Sequence, residues 1–258
     1  MSDPLDPEAL ASMNPTTRFT DRAADYVRFR PDYPVAAVDA ILGRLSDLAQ
    51  VEVADVGAGT GIASRLLAER GVQVIAIEPN AEMRAAAAAH SGVTWRAVTA
   101  EATGLPEASV DLVLVAQAFH WFRQRAAIAE FHRVLRPRGR LALLWNHRDD
   151  TDPFTRGYIE AIHAVDGEHP AERRHIDPGV IEGAGLFTVP TLTTFPHAQE
   201  LDREGVIGRA TSASYVPREG PAFEELRRLL MALFDAHHDA NGRVQMRYMT
   251  LLHLATRP

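Results

Sequence analysis

The sequence predicts an α/β domain in which a mostly parallel sheet carries helices on both faces, and three observations predict it. Between Val51 and Trp145 short β-branched runs alternate with helical segments, the pattern of successive βαβ units. A glycine-rich turn sits at the first strand-to-helix junction. The 258 residues are 46% apolar and 24% charged, an ordinary globular composition with enough chain to bury a core.

The first strand is VEVADV, residues 51–56, followed by the helix IASRLLAER. Gly71 closes that helix, because glycine takes the left-handed conformation without a Cβ clash. The strand VQVIAIE follows, and Asn80 caps the next helix by accepting an orphan backbone N–H. The run Ala85–Ala89 reads as the interior of that helix, since alanine is the best helix former. Strands VTWRAV and VDLVLVA come next. A helix from Gln124 places Ile128, Phe131 and Leu135 on one stripe, and Pro137 with Gly139 ends it. RLALLW is the fifth strand. The polar stretch Asn146–Pro178 reads as an insertion over the pocket, with a helix around Phe154–Val165. Phe187–Phe195 and Val244–Leu254 are two further strands, an antiparallel pair, with an amphipathic helix over Glu224–His238 between them. No period of 20 to 50 residues repeats, so the chain is no solenoid. The expected organisation is a single domain over 1–258: N-terminal helices or lid to 45, a binding core over 46–146, a cap over 147–182, and C-terminal strands and helices over 183–258.

Composition removes several chemistries. The chain has no cysteine, which excludes thiolate metal sites and thiol nucleophiles. It has no lysine either; all 27 basic residues are arginine, so a Schiff-base lysine and a phosphate-loop lysine are absent. A net charge of −7 disfavours a phosphate backbone as partner. The N-terminus MSDPLDPEAL is acidic and no apolar run reaches the roughly 18 residues of a membrane span, so a cytoplasmic protein with neither nucleic-acid nor membrane partner is expected. His163, His169 and His175 recur every sixth residue, on no single helix face, and with His237 and His238 read as surface residues. No metal site is expected. Arg173 and Arg174 read as a solvated charged face.

The chemistry-bearing signal is Asp55-Val-Gly57-Ala58-Gly59-Thr-Gly61 at the end of the first strand. Glycines allow a sharp turn and close approach to a ligand, and the helix that follows offers unpaired N–H groups. Glu78 ends the next strand 17 positions beyond Gly61, where a carboxylate accepts hydrogen bonds from ribose hydroxyls. The spacing G-x-G-x-G departs from the G-x-G-x-x-G of dinucleotide sites, which favours S-adenosylmethionine over NAD.

With FTDRAADYVRFRPDYP at Phe19–Pro34, TAEATGLPEASVDLV at Thr99–Val113, AQAFHWF at Ala116–Phe122 and VLRPRGRLALLWN at Val134–Asn146, the chain resembles the class I S-adenosylmethionine-dependent methyltransferases. It is most similar to the small-molecule branch of the trans-aconitate and ubiquinone/menaquinone-biosynthesis type. The resemblance implies the Rossmann-like class I methyltransferase fold, a seven-stranded mostly parallel sheet with one antiparallel strand. It implies S-adenosyl-L-methionine as cofactor, S-adenosyl-L-homocysteine as product, a small organic molecule of specialised metabolism as substrate, and a monomer or homodimer. By the same resemblance Asp55, Gly57, Ala58, Gly59 and Gly61 hold the methionine part of the donor, Glu78 and Pro79 meet the ribose, and Asn80 and Met83 flank the adenine. Thr99, Ala100 and Glu101 match the adenine-edge segment, with Thr99 where many relatives have Asp. Tyr26, Arg30 and Tyr33 match an N-terminal lid, Arg30 being suited to a carboxylate. Ala116 and Gln117 border the sulfonium. Tyr33, His120, Trp121, Asn146 and Arg148 are expected at the acceptor, His120 either as a base or as pocket lining. The alternative function is a donor-binding protein that does not methylate, a cyclase or interaction module on the same fold.

Overall fold

The computed structural model describes residues 23–43, 45–166, 178–213 and 215–258. Seven strands, β1 (Glu52–Val56), β2 (Gln73–Ile77), β3 (Val93–Arg96), β4 (Val110–Ala116), β5 (Leu135–Arg148), β6 (Thr191–Leu201) and β7 (Val244–Thr256), form one sheet in the order β3-β2-β1-β4-β5-β7-β6. β1 to β5 pair in parallel, whereas β7 runs antiparallel to both β5 and β6. The Rossmann-like fold expected from the sequence is therefore present. Strand order reverses between β1 and β4, and ligands of open α/β sheets bind in the crevice at such a switch point.

Both faces of the central strands are buried, and the two-residue period assigns alternate side chains to opposite layers. Val53, Leu112, Leu114 and Leu144 pack with Ala37 and Ile41 of α2 (Val35–Leu42) and Leu67 of α3 (Ile62–Ala68). Their neighbours Ala54, Val113, Val115 and Leu143 pack with Ile128 and Phe131 of α5 (Gln124–Val134) and Ile181 of α7 (Gly179–Ala184). Each such aliphatic or aromatic side chain contributes about 1.5–3 kcal/mol on burial. A third core joins Tyr158 and Ile162 of α6 (Pro153–Asp166), Val206 of α8 (Arg203–Thr211), Leu230 of α9 (Gly220–His237) and Tyr248 of β7. No helix among the described residues is long and apolar enough to cross a membrane.

Three local expectations are corrected. The alanine run is not a helix interior: α4 (Ala81–Ala86) stops within it, and Ala87 is extended at φ −68°, ψ 136°. Met83 is the one buried residue of α4; alanine's small propensity advantage does not replace a missing apolar face. α5 ends at Val134, so Leu135 caps it and opens β5, where the pairing with β4 is irregular near Arg136–Gly139. The sixth strand begins at Thr191 instead of Phe187, just after Pro190, which has no N–H to give to a ladder. Helices α2 and α8 carried no strong periodic signal.

The N-terminal helix α1 (Ala23–Phe29) docks on the C-terminal half of the chain. The Phe29 ring sits where a Cβ on Gly208 of α8 would fall, at 2.4–2.5 Å. Gln199 Nε2 donates to Phe29 O at 2.9 Å and Asn146 Nδ2 donates to Asp32 O at 2.8 Å. Phe19–Arg22, His169, Arg173, Arg174 and His175 lie outside the described residues.

Candidate functional site

The turn between β1 and α3 is built by glycine for stated steric reasons. Gly57, Gly59 and Gly61 have φ of +73°, +58° and +74°, the region an L side chain enters only with strain. A Cβ on Gly57 would lie 2.6 Å from Ala118 Cβ and 2.9 Å from Phe122 Cζ, and one on Gly61 would meet the Trp95 ring at 3.0 Å. The turn is thus packed from behind by Phe122 and Trp95, neither of which the motif announces.

Four amides of this turn are paired within the protein. Gly57 N and Ala58 N both donate to Ile77 O, Gly61 N donates to Ala58 O, and Gly59 N donates to Glu78 Oε2 at 2.9 Å. Tight turns in buried backbone satisfy their own donors when they can. Glu78 Oε1 accepts from Asn80 N at 2.8 Å, so one carboxylate bridges the glycine turn and the start of α4. Burial raises the Glu78 carboxyl, while the Asn80 and Gly59 amides oppose the rise. Asn80 caps α4 as predicted, its Oδ1 accepting from Met83 N at 3.0 Å. Buried Met83 reaches back to the turn, with Cε 3.4 Å from the position of a Gly59 Cβ. Half-buried Pro79 lies between these two anchors.

Beside the turn opens a small pocket lined by Tyr26, Tyr33, Asp55, Gly57, Ala58, Ile62, Ala63 and Ala116. Asp55 is fully buried; its Oδ2 accepts from Ser64 Oγ at 2.5 Å, and among the described residues its Oδ1 has no hydrogen-bond partner. Burial pushes the Asp55 carboxyl up to about 6, opposed by the Ser64 hydrogen bond. Burial likewise holds the Tyr33 phenol well above its ordinary range. Ser64, Ile62 and Ala63 were not singled out from sequence. Their only signal is position, the first turn of the helix after the glycines.

On the other side of the crevice, β4 ends in Ala116 and Gln117, the latter at φ +58° with its N donating to Leu144 O at 2.9 Å. His120 stands in the short 3-10 turn Phe119–Trp121, its ring 4.6 Å from Trp121 and 4.9 Å from Trp145. Trp145 was not foreseen there. Other expected residues have different engagements. Glu101 Oε1 accepts from Arg123 N at 2.9 Å, serving the start of α5. Thr99 is exposed and Ala100 buried. Asn146 is buried, its side chain donating to Asp32 O and accepting from Thr250 Oγ1 at 2.6 Å. Arg30 Nη2 donates to Ser212 O at 3.1 Å, and its guanidinium lies 4.7 Å over the Tyr26 ring. Arg148 lies 5.2 Å over Tyr158.

The sequence profile described as a methyltransferase domain matches residues 54–143, the segment carrying the turn, Glu78 and β4. An uncharacterised methyltransferase of Mycobacterium tuberculosis is 42% identical over 156 residues, 60% of this chain and 62% of that protein; the chain thus spans under two thirds of that relative's length. A methyltransferase-named protein of Dictyostelium discoideum is 31% identical over 213 residues, covering 77% of this chain and 78% of its own. Among solved structures, a type II methyltransferase from Anaeromyxobacter dehalogenans is 26% identical, with a TM-score of 0.65 over 89% of this chain and 97% of that one. The likeness extends well beyond the glycine turn, and the chain belongs to the class I S-adenosylmethionine-dependent methyltransferase family.

Proposed function

We propose that the chain transfers the methyl group of S-adenosylmethionine to a small organic molecule in specialised metabolism. The observation that carries this reading is the pairing of the pocket with the Glu78 bridge. Asp55 Oδ1 is a buried acceptor with no partner beside the glycine turn, the chemistry that receives an ammonium group. Glu78 retains one lone-pair direction on each oxygen beyond its two amide bonds, which suits ribose hydroxyls. The donor therefore fits the residues present: Asp55 and Gly57–Gly61 for its amino-acid end, Glu78 for its ribose, and Met83 against its adenine. When bound, the donor supplies an activated methyl on a positively charged sulfur.

The chain's own residues then bind, orient and exclude water. Tyr26, Tyr33 and Ala116 line the pocket, and in this reading the acceptor approaches from the His120 side. Alignment supplies most of the rate when the reacting carbon is already activated. For a hydroxyl acceptor the His120 imidazole takes the proton as the new bond forms; a carboxylate acceptor needs no base. The fit of Asp55 to an ammonium also has a pH signature. Donor binding favours the ionised carboxylate, so affinity rises with pH up to about 6 and then levels.

Calorimetry with S-adenosylhomocysteine and with NAD tests the donor assignment: binding of the first and none of the second is expected, and the reverse overturns it. Mass spectrometry of acceptor mixtures incubated with methyl-labelled donor tests transfer. Donor binding with no labelled product from any acceptor class would leave a donor-binding protein in place of an enzyme. His120→Ala is expected to keep donor affinity and lower the transfer rate roughly 100-fold or more if the histidine is a base; an unchanged rate and pH profile would leave it as lining.

A further inference from the structure

Beyond the carboxyl end of β5 lies a group of side chains that the donor pocket does not use. Arg30, Arg148 of β5 and Arg209 of α8 gather with Tyr158, Tyr215 and Tyr248 from α6, the segment before α9, and β7. Arg209 Nε donates to Tyr248 OH at 3.2 Å and Arg148 Nη2 to Tyr215 OH at 3.4 Å. Arg209 is only 4% exposed and Tyr158 is fully buried. Buried guanidinium groups ordinarily pair with carboxylates, yet among the described residues none pairs with Arg30 or Arg209. Three buried polar atoms, Arg30 Nε, Arg209 Nη1 and Tyr158 OH, have no hydrogen-bond partner.

One such orphan is a local defect; three in one cluster, all donors, mark the place of a missing acceptor. The charges also bear on one another. Burial and Arg209 push the Arg30 guanidinium below its ordinary value; burial opposes the Arg209 charge too, and the Tyr248 and Tyr158 phenols more than offset it. Guanidinium forks match the planar or tetrahedral oxygens of carboxylate and phosphate. We propose that this arginine–tyrosine cluster is the acceptor's anion subsite, holding a carboxylate or phosphate group of the molecule that receives the methyl. Arg30, stacked on Tyr26 of the donor pocket, joins the two sites. The inference rests on the methyl-transfer reading and narrows its substrate to oxyanion-bearing small molecules.

The test is calorimetric titration of the protein saturated with S-adenosylhomocysteine, using succinate, inorganic phosphate and uncharged succinamide as probes. Succinate or phosphate is expected to bind and succinamide not, and the stronger anion identifies the group. Arg209→Met is expected to weaken the anion at least tenfold while S-adenosylhomocysteine affinity changes less than twofold. Tyr158→Phe, a milder variant, should weaken the anion about threefold and guards against a folding defect in the first. Absence of anion binding, or equal anion affinity in both variants, overturns the proposal. A tenfold loss of S-adenosylhomocysteine affinity in Arg209→Met also overturns it, by giving the cluster to the donor's own carboxylate. Failure of the wild-type protein to bind S-adenosylhomocysteine at all would instead remove the methyl-transfer reading beneath it.

Discussion

The two halves of the crevice are built by opposite means. On the half beside the glycine turn, a few residues close in sequence make the site: the amides of Gly57, Ala58, Gly59 and Gly61 are paired, three of them to Ile77 O and Glu78, and Glu78 ties the turn to Asn80. On the half beyond the end of β5, Arg30 and side chains from β5, α6, α8 and β7 meet, and among the described residues Arg30 Nε, Arg209 Nη1 and Tyr158 OH have no partner. The first half is hydrogen-bonded within itself, and among the described residues it leaves the buried Asp55 Oδ1 and Thr60 Oγ1 without a partner. The second is an open set of donors. Under the proposed reading, the internally paired half serves the donor and selectivity is left to the half with unpaired groups.

The largest expected effect comes from breaking the closed half. Gly57→Ala puts a methyl 2.6 Å from Ala118 Cβ at φ +73°, combining overpacking with a left-handed alanine, and should cost about 3–4 kcal/mol in urea unfolding. Gly208→Ala makes a similar clash with the Phe29 ring but without positive φ, and α1 can shift away. It should cost about 1–3 kcal/mol and act mainly on the seating of α1. Equal losses in the two variants would erase the contrast between a rigid and a yielding half.

Asp55→Asn comes next. Burial pushes the folded carboxyl up to about 6 from its ordinary 3.8, so the native state holds its proton more tightly than the unfolded chain. Wild-type stability therefore falls as pH rises from about 4 to 6 and stays lowered above. The variant should be more stable than wild type by about 3 kcal/mol at pH 7–8 and equal to it near pH 4, and it should lose the pH dependence of donor affinity. Chemical denaturation at the two pH values reads the first effect. Glu78→Ala should weaken S-adenosylhomocysteine by about 1–3 kcal/mol in calorimetry, because both the bridge and the ribose acceptor go. Arg28→Ala is the smallest: its pair with Glu204 is exposed on both sides, and no shift in melting temperature is expected.

The same contrast governs what could be read in advance. The sheet, the glycine turn, Glu78 and the Asn80 cap were legible because each depends on residues near one another in sequence. Periodicity also found α5, α6 and α9, whose buried stripes are long. It failed where a short element owes its ends to tertiary contact, as at Ala87, or where a helix is buried on more than one side, as in α8. Within the site, Asp55 and Ala116, both singled out from the sequence, line the pocket. The satisfaction of the turn's amides by Ile77 O was invisible, since it depends on strand register. Arg209 and Tyr158 carried no signal at all: their neighbours lie scores of residues away, and nothing in spacing distinguishes a buried arginine from a solvated one.

The position of β7 in the sheet has a consequence for the order of assembly. It is the last of the described elements in sequence, yet it lies between β5 and β6 and, among the described residues, is the only strand that pairs with β6. During synthesis the first five strands can align while the chain is still growing, but β6 must wait without a hydrogen-bonded neighbour until residues 244–256 emerge. Such late, long-range pairing is intrinsically slow. An interrupted chain would display the outer edge of β5 to any other strand in solution, so the yield of native protein depends on how soon after translation that gap is filled.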